Sequence, residues 1–552
     1  MQPLPVPAAE PDKPSTPAAI ARLPTAVTAF VGRTLKGPLN TPTPVSSFAD
    51  FQRLFGGLWQ PSTLGYAIEQ FFEHGGREAL IVRVVNGARA PSLRLPAGRG
   101  HLLLRGRQPG TREYLRASID YDGIPADATD QFNLVVQRLQ QPGSELIESQ
   151  EILRRVSIDP GSERSLERFL QRSRLVRLGG PLPLDRPSRT LPSRPGAVVG
   201  YVAAANDGAD GADLTDYDVI GDATRGTGLF ALRDGPRFSL LCVPPLSRGQ
   251  DIGMTTLHVA TQLCRAQQAL LIVDPPASWD SVAAALAGAT HWAFQSEQAL
   301  LYFPRLLAPD RLRGRNELFA GCGAAAGLIA RGDELSPLWA AAAGETPVLR
   351  PPYRPQLVLD EVQRARLAQV GVNCFDHVRP AAGAVRSART LLSENAARGE
   401  WRYLPARRLS LWLQACVLEG TRWTRQAGGG PAQWRRVCEQ VGAFLEQLAE
   451  AGAFAGRDSS ERYYVICDER LNSAADVAQG RCSLLFGFAA WRGGEFQSCL
   501  VTHAAGGSSV RSVTINRLAT SGAKVSEEIE TAILRQLAAE SGATYAPASH
   551  GA

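Results

Sequence analysis

A chain of 552 residues with 44% hydrophobic and 20% charged side chains has the composition of a soluble protein with a sizeable core, which excludes general disorder. Its length fits three or four compact units, or one core carrying insertions. The net charge of +6 is small for that length and no basic block is interleaved with aromatic residues, so nucleic acid is not expected as a partner.

The first 22 residues are rich in Pro and Ala, have no hydrophobic period and read as an extended arm. They lack the basic-then-apolar order of a secretion signal, so folding in the cytoplasm is expected. Val27 to Val31 is a short apolar run that predicts a buried strand ending at Gly32. Ser47 and Asp50 have the spacing of a capping box, with Phe48, Phe51, Leu54 and Phe55 supplying an apolar helical face before Gly56 and Gly57. A second helix is predicted from Thr63 to Glu73, with Leu64, Ile68, Phe71 and Phe72 inward, and a buried strand over Ala79 to Val85.

From residue 88 to 196 the pattern changes to short strand-like runs, His101 to Arg105 and Phe132 to Leu139 among them, and closes on the proline-rich PLPLDRPSRTLPSRPG; this predicts an inserted β-rich domain. A βαβ rhythm follows. Strands are predicted over Phe238 to Val243, Ala269 to Asp274 and Ala299 to Phe303, with helices over Met254 to Arg265 and Trp279 to Leu286 between them, which implies a parallel sheet with right-handed crossovers. The last third holds an amphipathic helix with Trp434, Val437, Val441, Phe444, Leu445 and Leu448 on one face. Strands over Tyr463 to Cys467 and Ser483 to Phe488 come next, then a strand over Val510 to Asn516 and a helix over Glu527 to Glu540.

The expected fold class is therefore mixed α/β with a parallel core. The expected division is an arm over 1–22, an α/β core over 23–87 plus 197–384, the β-rich insertion over 88–196, a mixed α/β carboxy-terminal domain over 385–502 and an extension over 503–552.

Each feature that could carry chemistry has a plainer reading. Asp274 stands at the end of a parallel strand, where α/β enzymes place catalytic groups, but two prolines follow it and no partner motif is near, so a turn-capping role is expected. Gly321, Gly323 and Gly327 in AGCGAAAG resemble a dinucleotide loop with the third glycine one place late; close packing of a helix is the simpler expectation. The seven histidines show no helical metal-pair spacing, and the nine cysteines, odd in number and without a CxxC, read as buried apolar residues in a reducing compartment. There is no GxSxG, P-loop or HExxH. No catalytic, cofactor-binding or metal-binding residue is assigned, no cofactor is expected, and no run of about 18 apolar residues predicts direct membrane insertion. Apart from Lys13, Lys36 and Lys524, every cationic side chain is arginine. That residue suits bidentate interface pairing, although codon bias in a GC-rich genome is the simpler account.

The segment PTAVTAFVGRTLKGPLNTPTPVSSFADFQRLFGGLW from Pro24, followed by TLGYAIEQFFEHGGREALIVRVV, closely resembles the amino-terminal region of phage-like tail sheath proteins. That family has an apolar strand into Val-Gly-Arg, a Gly-Pro step, Ser-Phe-x-Asp-Phe ending in Gly-Gly, and Phe-Phe-x-x-Gly-Gly before a strand. Gly371 to Asn373, RSARTL over Arg386 to Leu391, WRYLPARRLSLWLQACVLEGTRW from Trp401 and the Gly487 to Ala489 strand are similar to its carboxy-terminal domain. The resemblance implies a non-enzymatic subunit that stacks as hexameric rings around an inner tube in a phage tail, tailocin or extracellular injection particle, with baseplate and cap proteins as further partners. Assembly would take place in the cytoplasm, and the particle could be released. A cap or terminal-ring relative and an α/β enzyme, hydrolase-like or nucleotide-binding, are the alternatives, with an adhesion role third.

In such sheaths the carboxy-terminal domain faces the tube, often through basic side chains. Between Val385 and Arg425 there are eight arginines against three acids. Arg402, Arg407, Arg408, Arg422 and Arg425 are accordingly the candidate tube contacts; the other reading is a solvated or internally paired face. The proline-rich start departs from the family's strand-like beginning, because proline donates nothing to a ladder, so interlocking of subunits through this arm is not expected.

Overall fold

A computed structural model describes residues 19–192, 199–339, 348–375, 388–393, 399–426, 429–493 and 495–513. Its contacts divide the chain into two units. One comprises residues 26–336 and 342–402. The other comprises 1–25, 337–341 and 403–552.

The first unit begins with β1 (Thr28–Gly32), every residue of which is buried. After β2 (Thr43–Val45) comes α1 (Phe48–Phe55), where the Ser47 hydroxyl accepts from the Asp50 N–H at 3.1 Å. The Asp50 carboxylate takes the Ser46 hydroxyl at 2.7 Å, so only the forward half of the expected capping box forms. Helix α2 (Leu64–Glu73) buries Leu64, Ile68 and Phe71 and leaves Phe72 half-buried, and Phe71 meets Phe30 of β1 edge-on at 5.5 Å. β3 (Ala79–Arg83) then lies parallel to β1.

The chain next forms β4 (Ser92–Ala97), β5 (Gly100–Gly106), β6 (Tyr114–Asp120), β7 (Gln131–Leu139), β8 (Ile147–Ser157), α3 (Leu166–Arg172), β9 (Val176–Leu178) and β10 (Val202–Ala203). These strands make two antiparallel sheets, ordered β10-β6-β7-β8 and β4-β5-β9. They share a core that includes Leu95, Leu104, Ile119, Phe132, Leu134 and Val156. The pairing of β10 with β6 carries the β-rich region past residue 196.

After α4 (Asp216–Ile220) the parallel rhythm resumes with β11 (Leu240–Cys242), α5 (Met254–Gln267), β12 (Leu270–Val273), α6 (Val282–His291) and β13 (Ala299–Phe303). The predicted helix over Trp279 to Leu286 is displaced by three residues at its start and five at its end. Ser281 is its cap and accepts from the Ala284 N–H at 3.2 Å, while Trp279 lies in the preceding turn, packed under Gly288 and against Trp292 at 5.4 Å. The unit closes with β14 (Leu306–Asp310), β15 (Arg315–Phe319), α7 (Cys322–Leu335), β16 (Arg354–Pro355), α8 (Glu361–Gln369) and β17 (Asn373–Cys374).

The central sheet has the order β17-β13-β12-β11-β1-β3-β2, parallel throughout except at β2. This is the expected α/β core, and its strands are continuous apolar runs because both faces are covered. Thr390 and Leu391 belong to it. The Leu391 N–H donates to Ala299 O at 2.8 Å and Leu391 is buried, and the contacts of this unit extend to Arg402.

The second unit contains α9 (Leu404–Gly420), α10 (Pro431–Glu450), α11 (Ser459–Arg462), β18 (Tyr463–Ile466), α12 (Ala474–Ala478), β19 (Cys482–Phe488), β20 (Gln497–Ala504) and β21 (Gly507–Val513). The last four strands form an antiparallel meander. All six apolar residues predicted on the α10 face are buried in its core. The predicted strand over Val510 to Asn516 is realised up to Val513 in β21; its remainder and the predicted helix over Glu527 to Glu540 lie outside the described residues.

The AGCGAAAG run opens α7, which packs on α2. A Cβ on Gly323 would stand 1.9 Å from Ala67 O, and one on Gly327 2.5 Å from Phe71 O. Gly442, in α10, has open space around it. Alanine in a helix gains up to ~1 kcal/mol over glycine, whereas overpacking costs about 1–3 kcal/mol. Gly323→Ala should therefore destabilise the chain by about 2 kcal/mol or more, and Gly442→Ala should stabilise it by up to ~1 kcal/mol, as read from the midpoints of urea unfolding.

Candidate interaction surface

The carboxyl-end edge of the parallel strands is where an α/β protein would hold a ligand. Here Asp274, just past β12, is half-buried and its Oδ1 accepts from the N–H groups of Gly321 and Cys322, both at 2.8 Å. Burial pushes the Asp274 carboxyl up, opposed by these donors and by Arg305. The residue caps the first turn of α7 across 47 positions of sequence; it is a tertiary helix cap and not the expected turn cap. The α7 amino terminus, a ready anion site, is thus occupied by the chain's own carboxylate. Among the described residues no group of three His, Cys, Asp or Glu side chains is placed to hold a metal ion, and no helix is long and apolar enough to cross a membrane.

The five candidate arginines do not form one set. Arg402 ends the first unit, half-buried, with its carbonyl accepting from Thr390 N–H at 2.8 Å. The other four belong to the second unit. Arg407 is only 5% exposed, on the face of α9 that meets the sheet, beside Cys499 of β20. Its guanidinium is not presented to solvent in the single chain. Arg408 is partly buried and donates to Thr25 O at 3.1 Å, so it serves the chain's own backbone.

Arg422 and Arg425 remain exposed, on a 3₁₀ turn over Arg422–Gln426 that follows α9. Arg422 pairs with Glu419 at 2.9 Å, a solvent-screened pair of small energetic weight, and Arg425 donates to Ala505 O at 3.1 Å. The turn is fixed from beneath. Trp423 Nε1–H donates to Gln440 Oε1 at 2.9 Å, Gln433 donates to Thr424 O at 3.1 Å, and Arg436 lies over the Trp423 ring at 5.2 Å.

His503, fully buried, completes the support: Nε2 is 2.8 Å from Thr421 Oγ1 and Nδ1 is 2.7 Å from Ser508 Oγ. The Thr421 hydroxyl donates its one proton to Val417 O at 2.6 Å and so accepts from Nε2–H, which leaves Nδ1 to accept from Ser508. This is a neutral imidazole. Burial, followed by Arg425 and Arg422, pushes its pKa down to about 4. Nothing in the sequence around His503 signals this role, because one partner, Thr421 at the end of α9, lies 82 residues away and the other, Ser508, is brought back by the pairing of β20 with β21.

No family model matches the chain, and no curated protein matches it by sequence. Solved structures do. The sheath complex of an extracellular contractile injection system, PVC, in its contracted state aligns over 90% of this chain and 97% of its own, with a TM-score of 0.51 at 15% identity. A sheath tail protein of Listeria innocua aligns over 90% of this chain and 96% of its own, with a TM-score of 0.54 at 11% identity. The chain has the tail sheath fold. The sheath resemblance carried by the two terminal motif regions is thus matched by the architecture as a whole, at identities too low for sequence comparison alone to register.

Within this sheath-fold chain His503 has a measurable signature. An unfolded imidazole takes up a proton near pH 6.5 and the folded one only near 4, so its contribution is complete above pH 6.5 and is lost as pH falls towards 4. Unfolding free energy should fall over this window, and His503→Gln should lose less than the parent, by up to about 3 kcal/mol at pH 4.5. His74, whose burial also pushes its pKa down to about 4, contributes equally to both proteins and cancels in the difference.

Proposed function

We propose that the chain is a structural subunit of a contractile sheath, polymerising as stacked hexameric rings around an inner tube and shortening to drive that tube through a target envelope. The supporting observation is the alignment of nine-tenths of the chain with almost the whole of two sheath proteins. A sheath works through interfaces that repack from a metastable extended assembly into a lower-energy one, so its work derives from stored interface free energy and no hydrolytic site is required. The self-capped α7 terminus suits a structural, non-enzymatic role of this kind. On this reading its partners are further copies of itself, the tube protein, and the baseplate and cap proteins that bound the polymer.

The tube-facing role of basic side chains falls on Arg422 and Arg425, the two candidates that are exposed and held on a fixed turn. Complementary charge at such a rim sets register and encounter rate more than affinity.

Electron microscopy of the purified protein, alone and co-expressed with its tube partner, should show long cross-striated cylinders in the presence of the tube. Single rings under both conditions would indicate a cap-like relative, and monomers throughout would overturn the sheath reading. In the same assay Arg422→Glu with Arg425→Glu should abolish tube-dependent cylinders while leaving the urea midpoint within about 0.5 kcal/mol of the parent. Cylinders formed as abundantly as before would remove the two arginines from the tube interface.

A further inference from the structure

Before β1 begins, residues 19–25 lie in the same unit as α9 and follow its length. Ile20 is buried over Gly420, whose missing side chain makes the seat: a Cβ there would stand 2.8 Å from Ile20 Cγ1 and 3.2 Å from Ile20 Cβ. The Leu23 N–H points to Cys416 Sγ at 3.5 Å, and Leu23 O accepts from Trp412 Nε1–H at 2.8 Å. Thr25 O accepts from Arg408 at 3.1 Å. The four helix positions, 408, 412, 416 and 420, are each one step of four apart and so form a single stripe. Twelve helical residues rise about 18 Å, and five extended residues span about 17 Å, so the segment and the stripe match in length, running antiparallel.

We propose that this stripe is a binding groove for an extended segment with an apolar residue at each end of an Ile-x-x-Leu spacing, and that the chain's own residues 19–25 occupy it in cis as a latch. Gly420 sets the specificity, because any side chain there takes the place of Ile20. Arg408 and Trp412 are positioning residues that read main-chain carbonyls, which fixes the path of the segment whatever side chains it carries between its anchors. The latch ends at Thr25, one residue before the first unit begins at Ala26 and three before β1 begins at Thr28.

Arg22, exposed within the latch, supplies a trypsin site whose cleavage requires the segment to lift off. In the full-length chain, Gly420→Leu and, separately, Ile20→Ser should each speed cleavage after Arg22 at least tenfold with little change at other sites; a parent cleaved there as fast as either variant would overturn the latch. A second variant, Ile20→Cys with Gly420→Cys, tests the cis assignment, since the 3.2 Å approach brings the two Cβ atoms within bridging reach. Treatment with oxidised glutathione should join the pair inside one chain, giving monomers on non-reducing gels and a linked 20–420 peptide pair on mapping. Covalent dimers would show that copies exchange the segment, and unlinked thiols would show that Ile20 is not seated on α9; either outcome overturns the proposal.

Discussion

The architecture depends on bringing together two ends of chain that lie far apart in sequence. The first strand, β1, sits between β3 and β11, and the chain leaves the sheet after β3, builds two antiparallel sheets and returns to the other side of β1. Exit and return must therefore meet. They do so through backbone bridges, Asn86 with Ala212 and Arg89 with Ala209, and through Arg33 just past β1, while Arg83 at the end of β3 holds the inserted region at Pro109. Arg83 is the largest fully buried side chain among the described residues, and its guanidinium donates to Gly37 O at 2.9 Å and Pro109 O at 2.7 Å. Arg33 donates to Gly211 O at 2.7 Å and to Asp213 at 3.0 Å. Burial pushes the Arg83 pKa down to about 10, yet it stays charged at neutral pH, and the carbonyl dipoles offset the desolvation of that charge. Where the inserted sheets sit against the core is thus decided by hydrogen bonds to main chain, which tolerate wide variation in the surrounding side chains.

The same economy of side chains governs the face where an enzyme would differ. Helix α7 approaches α2 closely enough that its glycines rest on carbonyls, and Asp274 neutralises its amino terminus. Both features remove space and donors that a phosphate or substrate would need. A sheet of this topology is compatible with catalysis, and fold alone does not decide the matter. What the local geometry adds is that the ligand position is filled by the protein itself.

Much of this was legible in the sequence, and the unread part has physical causes. Apolar runs such as Thr28–Gly32 and Ala299–Phe303 and the α10 stripe were readable because burial imposes a period of its own on consecutive residues. The start of α6 was misread because Trp279 is apolar and near a helix, although Ser281 is the residue whose side chain can cap it. Arg407, Asp274 and His503 were opaque for a different reason. Each is defined by a partner remote in sequence: β20 for Arg407, the α7 amino terminus for Asp274, and Thr421 for His503. Charge counting along a segment assumed that adjacent arginines share a surface, and a helix turns Arg407 and Arg408 about 100° apart, one inward and one towards the latch.

The near-absence of lysine acquires meaning at this level. Codon bias can supply arginine without any demand from structure, but the fold has made use of its shape. Arg107 donates to both Leu170 O and Gln171 O, Arg164 to Arg154 O and Arg155 O, and Arg186 to Ala128 O and Gln131 O while stacking on Tyr121 at 3.9 Å. With Arg33 and Arg83, these residues clamp two main-chain carbonyls apiece. A lysine ammonium is a compact, strongly hydrated point charge and would not hold two carbonyls in one plane with its stem against a ring. Replacing these particular arginines by lysine would keep the net charge and lose the geometry, so the packing of helix, strands and turns in the inserted region draws on a residue whose abundance alone could be explained without it.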